Sequence, residues 1–463
     1  MIVTHLSDRR GSRREVSRAG GPGQLRSVRT TVAGSDRVVL VAVAVALAGG
    51  ASLAGCNSLS AKLAPQSDAG VAAPAGPPAG LAPTELANAE PSRPAAGAAD
   101  ELVFGTVVPL SGASKELGVQ IKMGIETAFD VVNDAGGIGG RRLRLVAYDD
   151  GYEPTRTLAA MKQLNSKDHV IGVIGNVGTP TAAVALPYAL DHKMLFFGAF
   201  SGAGLLRRDP PDRYVFNVRA SYLEETAAVT RYLIKVRHLR PEQIAVFAQE
   251  DAFGDAGYGG VSKALRVLHE DIGVVTRVGY KRNTVDVNDA VAHLKTKGLR
   301  AVVMVATYRA AAQFIQRVKE AHPGLIFTNV SFVGSTALAE ELKLLDPEAG
   351  TGVIVTQVVP PVESHSTAIL NYKASLAKYF PGITPDYVSL EGYVTANVLI
   401  EALRHCGREI DTESLVDEFE KLSSLDLGLG VPVAYGTNEH QGLHKVWGTR
   451  LDGQGRYEAF DLE

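Results

Sequence analysis

Three stretches of this sequence combine glycine, small and hydroxyl-bearing residues in a way suited to holding a polar ligand. They are Pro109-Leu110-Ser111-Gly112, Gly175-Asn176-Val177-Gly178-Thr179-Pro180-Thr181 and Gly198-Ala199-Phe200-Ser201-Gly202-Ala203. Each follows a short apolar run. Thr179 before Pro180 has the form of a helix N-cap with proline at the first helical position. Free backbone N–H groups and the positive end of the helix dipole would then face a ligand, and a carboxylate is the natural guest. Capping is expected of Thr179 in any case; ligand contact is the added expectation.

Chemistry of other kinds finds no support. The sequence contains no Gly-x-Ser-x-Gly elbow, no Gly-x-x-x-x-Gly-Lys phosphate loop and no His-Glu-x-x-His zinc pair. Its eleven histidines are scattered, and its two cysteines, Cys56 and Cys406, exclude a disulfide framework and any Cys-x-x-Cys site. Glycines 136, 137, 139 and 140 follow a helical pattern and precede a strand, the reverse of a dinucleotide fingerprint, so they read as a helix stop. No cofactor, no metal and no catalytic residue is expected. A net charge of −3 over 463 residues carries no basic excess that would point to nucleic acid.

The elements that must position these loops alternate regularly beyond residue 100. Strands are expected at 103–108, 143–148, 170–174, 194–197, 244–247, 274–278, 301–305 and 353–356, with helical patterns between most of them. The first helix carries Ile121, Ile125, Phe129 and Val132 on one stripe and stops at Gly136-Gly137. Such alternation predicts an α/β fold with parallel sheets covered by helices on both faces. Residues 101–463 exceed one comfortable core, so two doubly wound lobes are expected. Ligands bind such sheets outside the carboxyl ends of the strands, where the three loops fall.

The first 56 residues read as an address. Arginines at 9, 10, 13, 14, 18, 26, 29 and 37 precede an apolar run from Val38 to Ala54 that ends in Leu53-Ala54-Gly55-Cys56. This is the form of a secretory signal, and its last four residues resemble the lipobox of bacterial lipoproteins, with Cys56 as the lipidated residue. From 57 to 100 the chain turns to alanine and seven prolines, a composition that cannot offset its ordering entropy and is expected to form a flexible tether. The rest is therefore expected outside the cytoplasm, tied to a membrane by lipid.

The ordered set Pro109-Leu110-Ser111-Gly112, Asn133-Asp134-Ala135-Gly136-Gly137-Ile138-Gly139-Gly140, Asp149-Asp150, Gly198-Ala199-Phe200-Ser201-Gly202-Ala203, Asn217-Val218-Arg219-Ala220-Ser221-Tyr222, Glu250-Asp251-Ala252-Phe253-Gly254, Leu390-Glu391-Gly392-Tyr393 and His440-Gln441-Gly442 resembles the type I periplasmic binding proteins that serve leucine, isoleucine and valine importers. The resemblance covers nearly all of 101–463. It implies two lobes joined by a three-crossing hinge, with lobe 1 formed by 101–218 and about 358–442, and lobe 2 by 219–357 and about 443–463. The crossings are expected near Val218, Gln357 and Gly442.

By the same resemblance, Thr179, Phe200 and Ser201, with Ser111 on the first loop, hold the ligand in lobe 1. Tyr222, Asp251, Tyr308 and Ser335, each placed at a strand's carboxyl end, complete the cage. A buried ammonium needs an acidic partner, and Glu224, Glu250 and Asp251 are the candidates. Glu250 and Asp251 equally suit a turn that caps the next helix. Tyr222 and Tyr308 either stack on the ligand or pack over the hinge. Glu391 is expected on a helix face, in a structural contact. Phe200 stands where the family carries a smaller residue, which narrows the pocket and puts leucine, isoleucine or valine in doubt as the ligand. The implied protein is a monomeric receptor that hands an amino acid-like solute to an ABC permease or, as the alternative, reports it to a signalling partner; it is not an enzyme.

Overall fold

A computed structural model describes residues 101–463 apart from 295, 296 and 347. The leader, Cys56 and the alanine- and proline-rich segment lie outside the described residues.

The chain opens with β1 (Glu101–Val108), α1 (Lys115–Asp134), β2 (Arg142–Asp149), α2 (Pro154–Ser166), β3 (Gly172–Ile174), α3 (Thr179–Asp191), β4 (Leu195–Phe197) and the two-residue β5 (Val215–Phe216). These strands form one parallel sheet in the order β2-β1-β3-β4-β5. Winding reverses between β1 and β3, so a crevice opens at their carboxyl ends. In α1 the stripe Ile121, Ile125, Phe129 and Val132 is buried as its spacing predicts. The helix stops where Gly136 and Gly137 adopt φ of +101° and +77° and the Gly137 N–H returns to the Val132 carbonyl at 2.9 Å.

The second sheet takes α4 (Tyr222–Arg231), β6 (Ile244–Gln249), α5 (Ala252–Val267), β7 (Thr276–Tyr280), α6 (Asn288–His293), β8 (Ala301–Val305), α7 (Tyr308–Ala321), β9 (Ile326–Asn329), α8 (Ser335–Leu345) and β10 (Ile354–Gln357). The chain then returns to the first sheet as α9 (Thr367–Tyr379), α10 (Tyr387–His405) and α11 (Thr412–Lys421), before β11 (Trp447–Leu451) and β12 (Tyr457–Phe460) complete the second. Its order is β12-β11-β10-β9-β8-β6-β7, parallel from β7 to β10 and antiparallel beyond. Phe314 of α7 stacks on Phe247 of β6 at 3.9 Å, one of many fully buried side chains worth about 1.5–3 kcal/mol each.

The tie between α1 and α10 depends on absent side chains. A Cβ on Gly124 would lie 1.9 Å from the Ser389 carbonyl oxygen, and one on Gly392 would lie 2.4 Å from that of Ile121. The helices meet backbone to backbone, so alanine at either position would force them apart.

Three crossings join the sheets, near Asn217, Gln357 and Gln441. The first and third run side by side: the Asn217 N–H donates to the His440 carbonyl and the Gly442 N–H to the Asn217 carbonyl, both at 2.7 Å. One local expectation needs correction. Phe332-Val333 is a 3-10 turn after β9 rather than a strand end, so Ser335 begins α8 without following a strand directly. β5, β9, β11 and β12 went unpredicted. β5 is too short to show a period, and β11 and β12 earn their state by pairing with each other.

Candidate functional site

Gly178, at φ +102°, occupies the N-cap of α3, and Thr179 is already helical. The expected N-cap role of Thr179 is thereby corrected. Gly178 takes it because a Cβ there would lie 2.2 Å from the Tyr152 ring and because its backbone conformation disfavours other residues. Relieved of capping, the Thr179 hydroxyl meets the Ser201 hydroxyl at 2.8 Å, and both residues are buried. A hydroxyl pair beside the free N–H groups of a helix start is a cradle for an anionic or carbonyl oxygen.

The opposite wall comes from the second sheet. Tyr222 is fully buried, its ring 5.0 Å from Phe253 and 6.1 Å from Phe332; burial pushes its pKa up to about 12, and its hydroxyl faces Ser201. Phe332 also stands 5.1 Å from Phe200 and 6.2 Å from Tyr152. Aromatic rings from both lobes thus close around Phe332. Asp251 caps α5, accepting from the Phe253 N–H at 3.0 Å and from Gln249 Nε2 at 2.7 Å. Burial raises its pKa. The Tyr152 hydroxyl reaches toward it from the first lobe and touches Gln249 Nε2 at 3.4 Å.

Among the acidic candidates, the fold seats Asp251 in this cleft. Glu250 is exposed, and Glu224 is held at the hinge by His444 (2.7 Å) and Gln441 (2.9 Å), which with the Ser221 cap lower its pKa to about 2 despite burial. Ser111, Ser335 and Tyr308 are engaged by other partners. The Ser111 hydroxyl donates to Asp149 Oδ2 at 2.6 Å, and Asp149 also accepts from the Leu110 and Gly151 N–H groups, so this pair fastens the β1 loop to the turn after β2. Ser335 is buried and accepts from Gln357 Nε2 of the second crossing at 2.7 Å. Tyr308 lies against Glu116 at the start of α1, with the Arg309 guanidinium 5.6 Å from its ring.

Beneath the aromatics lies a buried charge cluster. The Arg219 guanidinium sits 4.9 Å from the Phe200 ring centroid and 5.4 Å from that of Tyr222. It pairs with Glu225 at 3.2 Å and with Glu391 at 3.4 Å, and all three are essentially removed from solvent. Glu225 also accepts from the Ser331 N–H and the Thr356 hydroxyl at 2.8 and 2.5 Å. Glu391 therefore makes the structural contact expected of it, and burial pushes its pKa up to about 7 against the pull of Arg219. Arg207 completes the hinge. It donates to the carbonyls of Ser201 (3.2 Å), Ala203 (3.1 Å) and Arg219 (3.0 Å) and to Gln441 Oε1 (2.5 Å), tying the loop after β4 to two crossings.

Sequence reasoning missed Tyr152, Phe253 and Phe332. Tyr152 follows β2 and was within reach of the strand-end rule; Phe332 was not, because its turn resembled a strand. Among the described residues, no group of three or more His, Cys, Asp or Glu side chains is placed to hold a metal ion, and no helix is long and apolar enough to cross a membrane.

The sequence pattern of a family described as periplasmic binding protein matches residues 101–456. An amino acid binding protein of Pseudomonas aeruginosa is 23% identical over 320 residues, 66% of this chain and 79% of that one. A Leu/Ile/Val-binding protein homolog of Brucella abortus is 25% identical over 323 residues, 67% of this chain and 78% of that one. The crystal structure of a possible leucine/isoleucine/valine-binding protein from Rhodopirellula baltica superposes with a TM-score of 0.74 at 37% identity, covering 79% of this chain and 97% of that one.

Proposed function

Because the chain belongs to the type I periplasmic binding proteins of the branched-chain amino acid-binding type, a family of solute-binding proteins, we propose that it is an extracytoplasmic receptor that captures a small polar ligand and delivers it to an ABC importer. The ligand class is an amino acid or a related carboxylate or amide. The observation that carries this is the pairing of the buried Thr179–Ser201 hydroxyls in one lobe with the half-buried Asp251 carboxylate in the other. The first suits a carboxylate and the second an ammonium, with aromatic rings excluding water between them. The protein performs no chemistry on what it binds.

A thermal-shift screen against amino acids, amides, urea and aromatic acids identifies the ligand, since a compound that binds only the folded chain raises its melting temperature. Thr179→Val and Ser201→Ala are each expected to weaken binding of the hit by about 1–3 kcal/mol in calorimetric titration. Unaltered affinity in both variants places the ligand elsewhere. The receptor is further proposed to be anchored through lipid on Cys56. Lipid labelling in the producing cell is expected to vanish in Cys56→Ala, and persistent labelling refutes the anchor.

A further inference from the structure

The turn Gly151-Tyr152-Glu153, which follows β2 in the first lobe, is gripped by two residues of the second. Asn283 Nδ2 donates to the Gly151 carbonyl at 3.0 Å and to Glu153 Oε1 at 2.6 Å, while Arg282 Nη2 pairs with Glu153 Oε2 at 2.8 Å. None of the five lies in a crossing. Opening about the hinge therefore separates them.

Two backbone features show that the grip is built rather than incidental. Tyr152 and Asn283 both hold left-handed conformations, with φ of +63° and +59°. Such a conformation is uncommon outside glycine and unfavourable for an aromatic residue, so surrounding structure must enforce it. For Tyr152 the enforcement comes from the fully buried Asp150. Its Oδ1 accepts from the Tyr152 N–H at 2.8 Å and its Oδ2 from the Thr157 hydroxyl at 2.7 Å. The result points the Tyr152 ring at Phe332 and its hydroxyl toward Gln249 and Asp251. Asn283 Nδ2 also lies 3.5 Å from the Tyr152 carbonyl, so the second lobe holds the backbone of a residue whose ring faces the cleft.

We infer that Arg282 and Asn283 are positioning residues for ligand retention: on closure they catch the Gly151–Glu153 turn and hold Tyr152 over the cleft. They act on the ligand through Tyr152 alone. A contact made only in the closed state shifts the opening equilibrium by its own free energy and so reduces escape of any ligand that fits. Arrival precedes the catch and is unaffected. The ion pair is half-exposed, so Asn283, with its two acceptors, is the larger contributor.

This inference rests on the lobe-closing receptor reading, and its test separates the two. Asn283→Gly keeps the left-handed backbone without strain while deleting the amide, and Arg282→Gln removes the charge. In the full chain, the double variant is expected to release the ligand found by the screen about tenfold faster in stopped-flow measurements, with the association rate constant within about twofold of wild type. The melting temperature of the ligand-free chain should not change. An unchanged dissociation rate overturns the inference, as does a slowed association or a fall in the ligand-free melting temperature, which would mark the turn as purely structural. Should no compound bind, the receptor reading fails and the inference falls with it, whereas binding with an unchanged dissociation rate overturns the inference alone.

Discussion

Replacing Arg219 by leucine is expected to destabilise the folded chain by about 3–5 kcal/mol, the largest single-residue loss among the hinge charges. The leucine fits the apolar surroundings of Phe200 and Tyr222, so lost packing is not the main cause. The loss arises because Glu225 and Glu391 stay buried with no cation between them. Urea unfolding measures it, and a deficit below about 1 kcal/mol would mean that the carboxylates escape to water or shed their charge. The deficit also has a pH signature. The folded-state pKa of Glu391 is raised from 4.5 to about 7, so the folded chain holds that proton longer than the unfolded one. Through this group, stability falls as the pH rises across that window and is fully relieved of the penalty below it. The cost of Arg219→Leu should accordingly shrink toward acid, and Glu391→Gln should flatten the profile between about pH 4.5 and about pH 7. A steeper profile in Glu391→Gln would contradict the assignment.

Asp251→Asn is expected to weaken binding of an amino acid by about 2–5 kcal/mol, roughly thirtyfold or more in Kd. Asparagine is as good an N-cap as aspartate, so α5 and its bond to the Phe253 N–H survive the change. What disappears is the charge that compensates a buried ammonium. A desamino analogue of the same ligand provides the contrast: its affinity for the variant should equal or exceed that for wild type. Calorimetric titration of both compounds against both proteins closes the cycle. Equal losses for the two would show that Asp251 shapes the α5 turn and leaves the ligand's nitrogen to other groups. Because burial raises the Asp251 pKa, affinity for an ammonium ligand should decline as the pH is lowered toward it.

Much of the scaffold was readable from pattern alone. Ile121, Ile125, Phe129 and Val132 announce a helix because a 3.6-residue period survives in any context, and Gly136-Gly137 announce its end because few other residues tolerate that geometry. Strand-end logic pointed to Thr179, Ser201 and Asp251, since doubly wound sheets leave only their carboxyl ends for ligands. Roles within the site were less legible. Thr179 was read as a cap because Thr-Pro has that form, yet the ring of Tyr152, distant in sequence, reserves the cap for Gly178. Ser335 has the composition of a ligand residue, and its hydroxyl is taken by Gln357.

By itself, then, the sequence determined the alternation of strand and helix, the positions of the loops and the likeness to a hinged receptor, because periodicity, glycine and proline act within a few residues. Tertiary structure alone decided that Glu224 is held by His444 while Asp251 faces Gln249, that Phe332 meets Tyr152, and that Arg219 lies over Phe200. Those outcomes depend on how two lobes face each other across three crossings. Facing is a property of residues that lie far apart along the chain, such as Tyr152 and Phe332, and no local pattern carries it.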